Sequence, residues 1–266
     1  MSANLTITAE SLKDPHIWAQ LLALISARTQ AEPDEWRRYI MAEQLAMASY
    51  PTFKFSEYGR IFLDDEAFLD YYKRYMDPGN WHSLDRKFAV RELLKTVSAT
   101  PGDFVECGVF AGATAELMCS QARDEGRKVH LYDSFQGLSE PGPLDGDYWT
   151  ANGLRCARET VEANLAPFNN TVFHEGWIPD TFDASAPGQV AALHIDVDLH
   201  QPTYDTLAFF YPRLSPGALV IMDDYGFRSC PGARKAADDF MADKPERIAL
   251  LPTGQAIFFR GHPDRA

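Results

Sequence analysis

Two pairs of acids have the types and the spacing to do chemistry. Asp196 and Asp198 lie in Leu193-His194-Ile195-Asp196-Val197-Asp198, and Asp223 and Asp224 close Val220-Ile221-Met222-Asp223-Asp224. Each pair ends an apolar run suited to a strand of a parallel sheet covered on both faces. Acids at the carboxyl ends of such strands stand where open α/β sheets bind ligands. If the two strands are neighbours, their ends lie about 5 Å apart, and three carboxylates can surround one point. Like charges that close need a cation or a shared proton. A hard divalent ion with oxygen ligands is the simplest resolution. An isolated Asp-x-Asp is usually a solvated loop. The two strand ends, in consecutive βα units, raise these pairs above that. His194 is expected to pack or hydrogen-bond out of its strand. His200 falls in a loop, where a neutral imidazole could act as a base.

A second constellation lies upstream, in Phe104-Val105-Glu106-Cys107-Gly108-Val109-Phe110-Ala111-Gly112-Ala113-Thr114. Gly108 and Gly112 let the backbone turn sharply and let a ligand approach. Phe110 occupies the middle glycine position of G-x-G-x-x-G, which favours a ligand without a pyrophosphate. Glu106 could accept a hydrogen bond or offset a positive charge. Taken alone, an ordinary strand-to-helix turn explains this stretch equally well. The next strand ends in Leu131-Tyr132-Asp133-Ser134-Phe135. Asp133 lies about 20 residues beyond Gly112, where ribose-binding acids sit in nucleotide folds. A helix N-cap is the commoner role for a lone aspartate, but behind a glycine turn the ribose reading moves ahead. Gly176-Trp177 could wall an adenine, although an aromatic there is more often core.

The elements that must carry these residues follow from periodicity. Strands are predicted at Phe104–Val109, Val129–Tyr132, Thr171–His174, Ala191–Val197, Ala218–Met222, Ile248–Leu251 and Ala256–Phe259, the last two as a hairpin. Helix-length segments separate the first five, the signature of βαβ units. The expectation is a Rossmann-like, doubly wound α/β fold with a seven-stranded sheet whose last strand is antiparallel. Residues 1–100 read as helical, with starts at Asp14-Pro15 and Pro33-Asp34-Glu35 and further helices over Asp64–Tyr75 and Asp85–Val97. Turns are expected at Tyr50–Lys54 and Asp77–Asn80. This divides the chain into a helical region, 1–100, and a sheet domain, 101–266.

Bulk properties limit the partners. The chain has 266 residues and a net charge of -13, which repels phosphate backbones and argues against nucleic acid. The start, Met1 to Ile7, lacks the pattern of a secretory signal. No apolar stretch reaches the ~18 residues of a membrane span, so no membrane contact is expected. Cys107, Cys119, Cys156 and Cys230 are widely spaced. Neither a disulfide framework nor structural zinc is expected, and a reducing cytoplasm fits best.

Taken in order, Glu106–Gly112, Asp133-Ser134-Phe135-Gln136-Gly137-Leu138, Gly176-Trp177, Asp196-Val197-Asp198-Leu199, Leu214-Ser215-Pro216-Gly217 and Asp223-Asp224-Tyr225-Gly226 resemble the macrocin O-methyltransferase (TylF-type) family. These are class I methyltransferases that use S-adenosylmethionine and magnesium on sugar hydroxyls of natural products. The resemblance covers about residues 84 to 261 and implies specific roles. Glu106 and Gly108 would line the methionine part of the cofactor, within a turn that also includes Phe110, Gly112 and Thr114. Asp133 would hold the ribose, with Ser134 and Phe135 beside it and Gly176 and Trp177 beyond. Asp196, Asp223 and Asp224 would coordinate Mg²⁺, with Asp196, Asp198 or His200 as the base. The acceptor would be a hydroxyl of a small molecule, the helical region would form part of a lid, and the protein would be a homo-oligomer. The chain departs from the family where Phe110-Ala111-Gly112-Ala113 replaces Trp-Arg-Gly-Gly, and at His200, where an aromatic is usual. Two other classes compete: a metal-dependent glycosyltransferase using Asp-x-Asp, and a non-catalytic cofactor-binding protein.

Overall fold

The computed structural model describes residues 10, 13–49, 59–76 and 82–261. The expected turns at 50–54 and 77–80 and the stretch 1–7 lie outside the described residues. The chain forms two compact units, residues 1–71 and 72–266. In the first, α1 (Pro15–Gln30) begins with Pro15 behind Asp14, whose side chain accepts the His16 N–H. Proline tolerates that position because its missing N–H would have no helical partner. The next helix, α2 (Glu35–Ser49), is capped by Asp34, which accepts the Arg37 N–H at 2.8 Å. Pro33 therefore precedes the cap rather than opening the helix. The division between the units falls inside α3 (Glu66–Tyr75), and α4 (Leu84–Lys95) belongs wholly to the second unit.

The second unit is a seven-stranded sheet in the order β3-β2-β1-β4-β5-β7-β6. Its strands are β1 (Asp103–Cys107), β2 (Val129–Asp133), β3 (Thr171–Glu175), β4 (Val190–Ile195), β5 (Leu214–Met222), β6 (Ala249–Leu250) and β7 (Ala256–Phe259). The first five are parallel, and β7 runs antiparallel to both its neighbours. The doubly wound expectation holds, and strand order reverses between β1 and β4, where such sheets open a crevice. Every residue of β4 is buried, which explains its uninterrupted apolar run. The connecting helices are α5 (Ala113–Asp124), α6 (Arg158–Asn164), α7 (His200–Phe210) and α8 (Pro231–Met241).

Strand ends differ from expectation for local reasons. β1 stops at Cys107 because Gly108 turns at φ 84°. β4 stops at Ile195, and Asp198 turns out at φ 59°. β5 starts at Leu214, earlier than predicted, because its pairing with β4 shifts register between Val190 and Ala192. That irregularity accommodates Pro216, which cannot donate to a ladder.

Candidate active site

A cavity of about 480 Å³ opens at the carboxyl ends of the strands, and its walls come from the second unit. Its first side is built by β1 and β2. Asp133 ends β2 and caps no helix. Its Oδ2 accepts the N–H groups of Val109 (2.7 Å) and Phe110 (3.2 Å), and its Oδ1 accepts that of Phe135 (2.7 Å). One carboxylate thus ties the β1–α5 turn to the turn after β2. Phe110 and Phe135 both adopt positive φ, a conformation bulky residues hold only when the surroundings enforce it.

Gly108 lines the cavity and is also required by the strands behind it. A Cβ there would lie 1.8 Å from the Asp196 carbonyl oxygen. Only glycine lets the end of β1 pass the end of β4, where the Asp196 N–H donates to Cys107 O at 2.9 Å. Gly112 is the left-handed N-cap of α5 and faces Val161 and Leu165 of the α6 region. It shapes the turn without lining the cavity, and so does Phe135, which packs near Phe173. Glu106, Gly108, Phe110, Thr114, Asp133, Ser134, Gly176 and Trp177 do line it.

The second side is acidic. In the parallel pairing of β4 with β5, Ile195 sits opposite Met222, so both acid pairs emerge at the same sheet edge. Asp196, Asp198 and Asp224 face the cavity. Asp223 does not: it is fully buried behind them and ion-paired to Arg86 of α4. Its Oδ1 also accepts Gln255 Nε2 at 2.6 Å and lies 3.4 Å from His194 Nε2. The buried His194 bridges the two sides, since its Nδ1 is 3.4 Å from Glu106 Oε1. Donor atoms of His194, Asp196 and Asp223 lie within 4.8 Å of one another, as do those of Asp198, Asp224 and Cys230. The expected trio Asp196, Asp223 and Asp224 is therefore divided between two adjoining groups rather than gathered at one point.

Electrostatics sets the sides apart. Burial, then the Asp196 charge, pushes the Asp198 carboxyl up to about 7. Burial and the charges of Asp198 and Asp196 hold Asp224 well above the usual carboxylate range, even though its Oδ2 accepts the Asp198 N–H at 2.8 Å. Asp196 goes the other way. Burial would raise it, but the fields of Lys87 and Arg86 bring it below its ordinary value. Burial drives the His194 imidazole down to about 3, so it is neutral. A cluster of buried oxygen donors whose ionisation burial and mutual repulsion oppose is the chemistry that suits a hard divalent cation. The Arg86 guanidinium on Asp223 competes with such a cation for that carboxylate.

His200 does not line the cavity. As the first residue of α7 it donates its N–H to Asp145 Oδ1 at 2.6 Å, and its ring lies parallel to that of Tyr204. The structure therefore does not bring His200 to the wall that Asp196, Asp198 and Asp224 share, and its Nε2 is buried without a hydrogen-bond partner among the described residues.

Several residues at the site carried no sequence signal. Arg86 and Lys87 look like ordinary helix charges in Asp85–Val97, yet Lys87 is buried with its ammonium on Thr114 Oγ1. Trp149 donates its indole N–H to Cys230 Sγ, and Cys230 in turn approaches Asp198 Oδ1. These contacts join segments far apart in the chain, and no local spacing announces them.

Sheet order, switch point and cavity are those of the class I methyltransferases, and the solved O-methyltransferase NovP superposes with a TM-score of 0.61 at 28% identity over 73% of this chain and 88% of NovP. The chain belongs to the macrocin-O-methyltransferase (TylF) family, whose model matches residues 85–251. It is 36% identical to the 8-demethyl-8-(2,3-dimethoxy-alpha-L-rhamnosyl)-tetracenomycin-C 4'-O-methyltransferase of Streptomyces olivaceus over 59% of its own length and 65% of that protein's. It is 33% identical to the demethyldecarbamoylnovobiocin O-methyltransferase of Streptomyces niveus over 62% of its own length and 70% of that protein's. The chain thus spans about two thirds of the length of these relatives. No helix among the described residues is long and apolar enough to cross a membrane.

Proposed function

We propose that this chain is an S-adenosylmethionine-dependent O-methyltransferase that acts on a hydroxyl of a sugar or diol in a natural product. The observation that carries the reading is one cavity with an Asp133-braced turn on one side and three strand-end carboxylates on the other. Family membership supports methyl transfer over the glycosyltransferase alternative. The relatives, named for a rhamnosyl-bearing tetracenomycin and for novobiocin, support a glycosylated acceptor.

When bound, S-adenosylmethionine supplies an electrophilic methyl group, and a divalent cation such as Mg²⁺ supplies Lewis acidity at the acceptor oxygen. The residues present fit both. Of the roughly four acceptor sites of the Asp133 carboxylate, its three backbone bonds leave one for a ribose hydroxyl. Gly176 and Trp177 flank the adenine, while Glu106 and Gly108 line the methionine part. Asp196, Asp223 and Asp224 are the carboxylates that would hold the cation, Asp223 being ion-paired to Arg86 in this structure. Asp196 and Asp198 are the carboxylates on the wall able to take the proton of the acceptor hydroxyl. Trp149 and Phe227, also on the wall, keep water from that oxygen. Most of the acceleration is positioning, which supplies several kcal/mol. The same reading takes the protein as a cytoplasmic homo-oligomer that meets neither nucleic acid nor membrane, and its charge of -13 supports the exclusion of nucleic acid.

The test is incubation with S-adenosylmethionine, Mg²⁺ and a panel of deoxyhexose glycosides, read by mass spectrometry. One methyl gained on a sugar oxygen, with S-adenosylhomocysteine released, is expected. Transfer undiminished after exhaustive chelation overturns the metal role, and failure with every glycoside overturns the acceptor class.

A further inference from the structure

One end of the cavity holds a buried amine and a buried carboxyl whose hydrogen bonding is incomplete. Burial lowers Lys87 and raises Glu106 well above the usual carboxylate range, and the field of each opposes the shift of the other. Lys87, on α4, is only 3% exposed. Its ammonium donates to Thr114 Oγ1 at 2.6 Å and forms no ion pair among the described residues. An ammonium has three donors, so two remain, in a site where burying a charge costs several kcal/mol unless a partner offsets it. Glu106, at the end of β1, is 1% exposed. Its Oε1 approaches His194 Nδ1, and its Oε2 has no hydrogen-bond partner. Lys87, Thr114 and Glu106 all line the cavity. Thr114 is the second residue of α5, where the first N–H groups of the helix have no partners within it and favour an anion.

A cation with spare donors beside a helix N-terminus, close to an anion with a spare acceptor, is the complement of an α-amino acid zwitterion. The geometry points to Lys87, together with Thr114, as the receiver of the α-carboxylate of the cofactor's methionine part, with Glu106 Oε2 taking the α-ammonium. Lys87 is thereby a cofactor-binding residue that sets specificity for a methyl donor bearing an intact amino acid. This assignment rests on the reading of the cavity as an S-adenosylmethionine site. The competing role is a fixed counter-charge for Asp196, whose carboxyl the Lys87 field lowers.

Calorimetric titration with three ligands separates these roles. S-Adenosylhomocysteine carries both the amine and the carboxylate, decarboxylated S-adenosylmethionine keeps only the amine, and 5'-methylthioadenosine has neither. Lys87→Met should weaken S-adenosylhomocysteine about 10- to 100-fold, the worth of a charge-assisted bond in a dry site. The other two ligands should stay within about twofold of wild type. Thr114→Val, a milder change, should produce a smaller loss confined to the same ligand, and it serves if Lys87→Met does not fold. Equal affinity of wild type and variant for S-adenosylhomocysteine overturns the assignment. So does a uniform loss for all three ligands, which is the mark of a counter-charge. If wild-type protein binds none of the three, the cofactor reading itself fails, and Lys87 fails with it.

Discussion

On the β1–β2 side of the cavity, one carboxylate satisfies three backbone N–H groups and fixes two turns. On the β4–β5 side, four carboxylates share an edge where side chains from remote segments hold them: Arg86 and Gln255 on Asp223, Cys230 on Asp198. The first side is organised by backbone geometry around Asp133. The second keeps carboxyls whose charge burial opposes, Asp198 up to about 7 among them. A rigid cradle beside an unsettled charge cluster is the arrangement expected where one side only binds and the other must respond to a reacting oxygen.

The largest effect should come from the acidic side. Asp196→Asn should lower kcat by about 10³-fold, the scale of a lost acid–base or metal-holding group, while leaving S-adenosylhomocysteine affinity unchanged. A parallel loss of affinity would erase the division between the sides. Asp133→Ala should do the reverse at the level of binding, with affinity falling about 100-fold or more because charge-assisted bonds to two turns disappear together. Unchanged affinity there contradicts the ribose assignment. Gly108→Ala probes the seam between the sides. The new Cβ meets the Asp196 carbonyl, so thermal denaturation should show a loss of about 2–4 kcal/mol. Gly126→Ala serves as the control. Gly126 has φ 71° and open space around its Cβ position, so only the ~1 kcal/mol of left-handed strain applies. Similar costs for both would mean that the seam is not tight.

The smallest effect lies away from the cavity. His130 Nδ1 and His174 Nε2 are 2.9 Å apart, and burial holds both imidazoles below their ordinary value. Asp103 and Lys128 face His130, and Asp183 and Ser185 face His174. A depressed folded-state value means that the contribution to stability is present above the ordinary imidazole pKa of about 6.5 and fades as pH falls below it. The denaturation midpoint should therefore drop between pH ~7.5 and ~5.5, on either side of that value, and drop less in His174→Gln. An equal drop in both proteins would place the pH dependence elsewhere.

The sequence carried the cradle well because its parts are local. A glycine turn, an acid at the next strand end and apolar runs ending in acids all reflect short-range geometry, and strand order follows from the alternation of βα units. It misled where a residue's partner is remote. Gly108 reads as a ligand approach, and nothing local shows that the crossing of β1 and β4 also requires it. His200 reads as a loop base but starts α7 on Asp145. Arg86, Lys87, Gln255 and Trp149 carry no spacing signal, because their roles exist only once α4, the 140–155 loop and β7 have been brought to the sheet edge.

The most direct test of the central claim is titration of the purified protein with S-adenosylhomocysteine, with and without Mg²⁺. Saturable one-to-one binding that survives chelation is the result predicted. Absence of binding under both conditions would contradict the account.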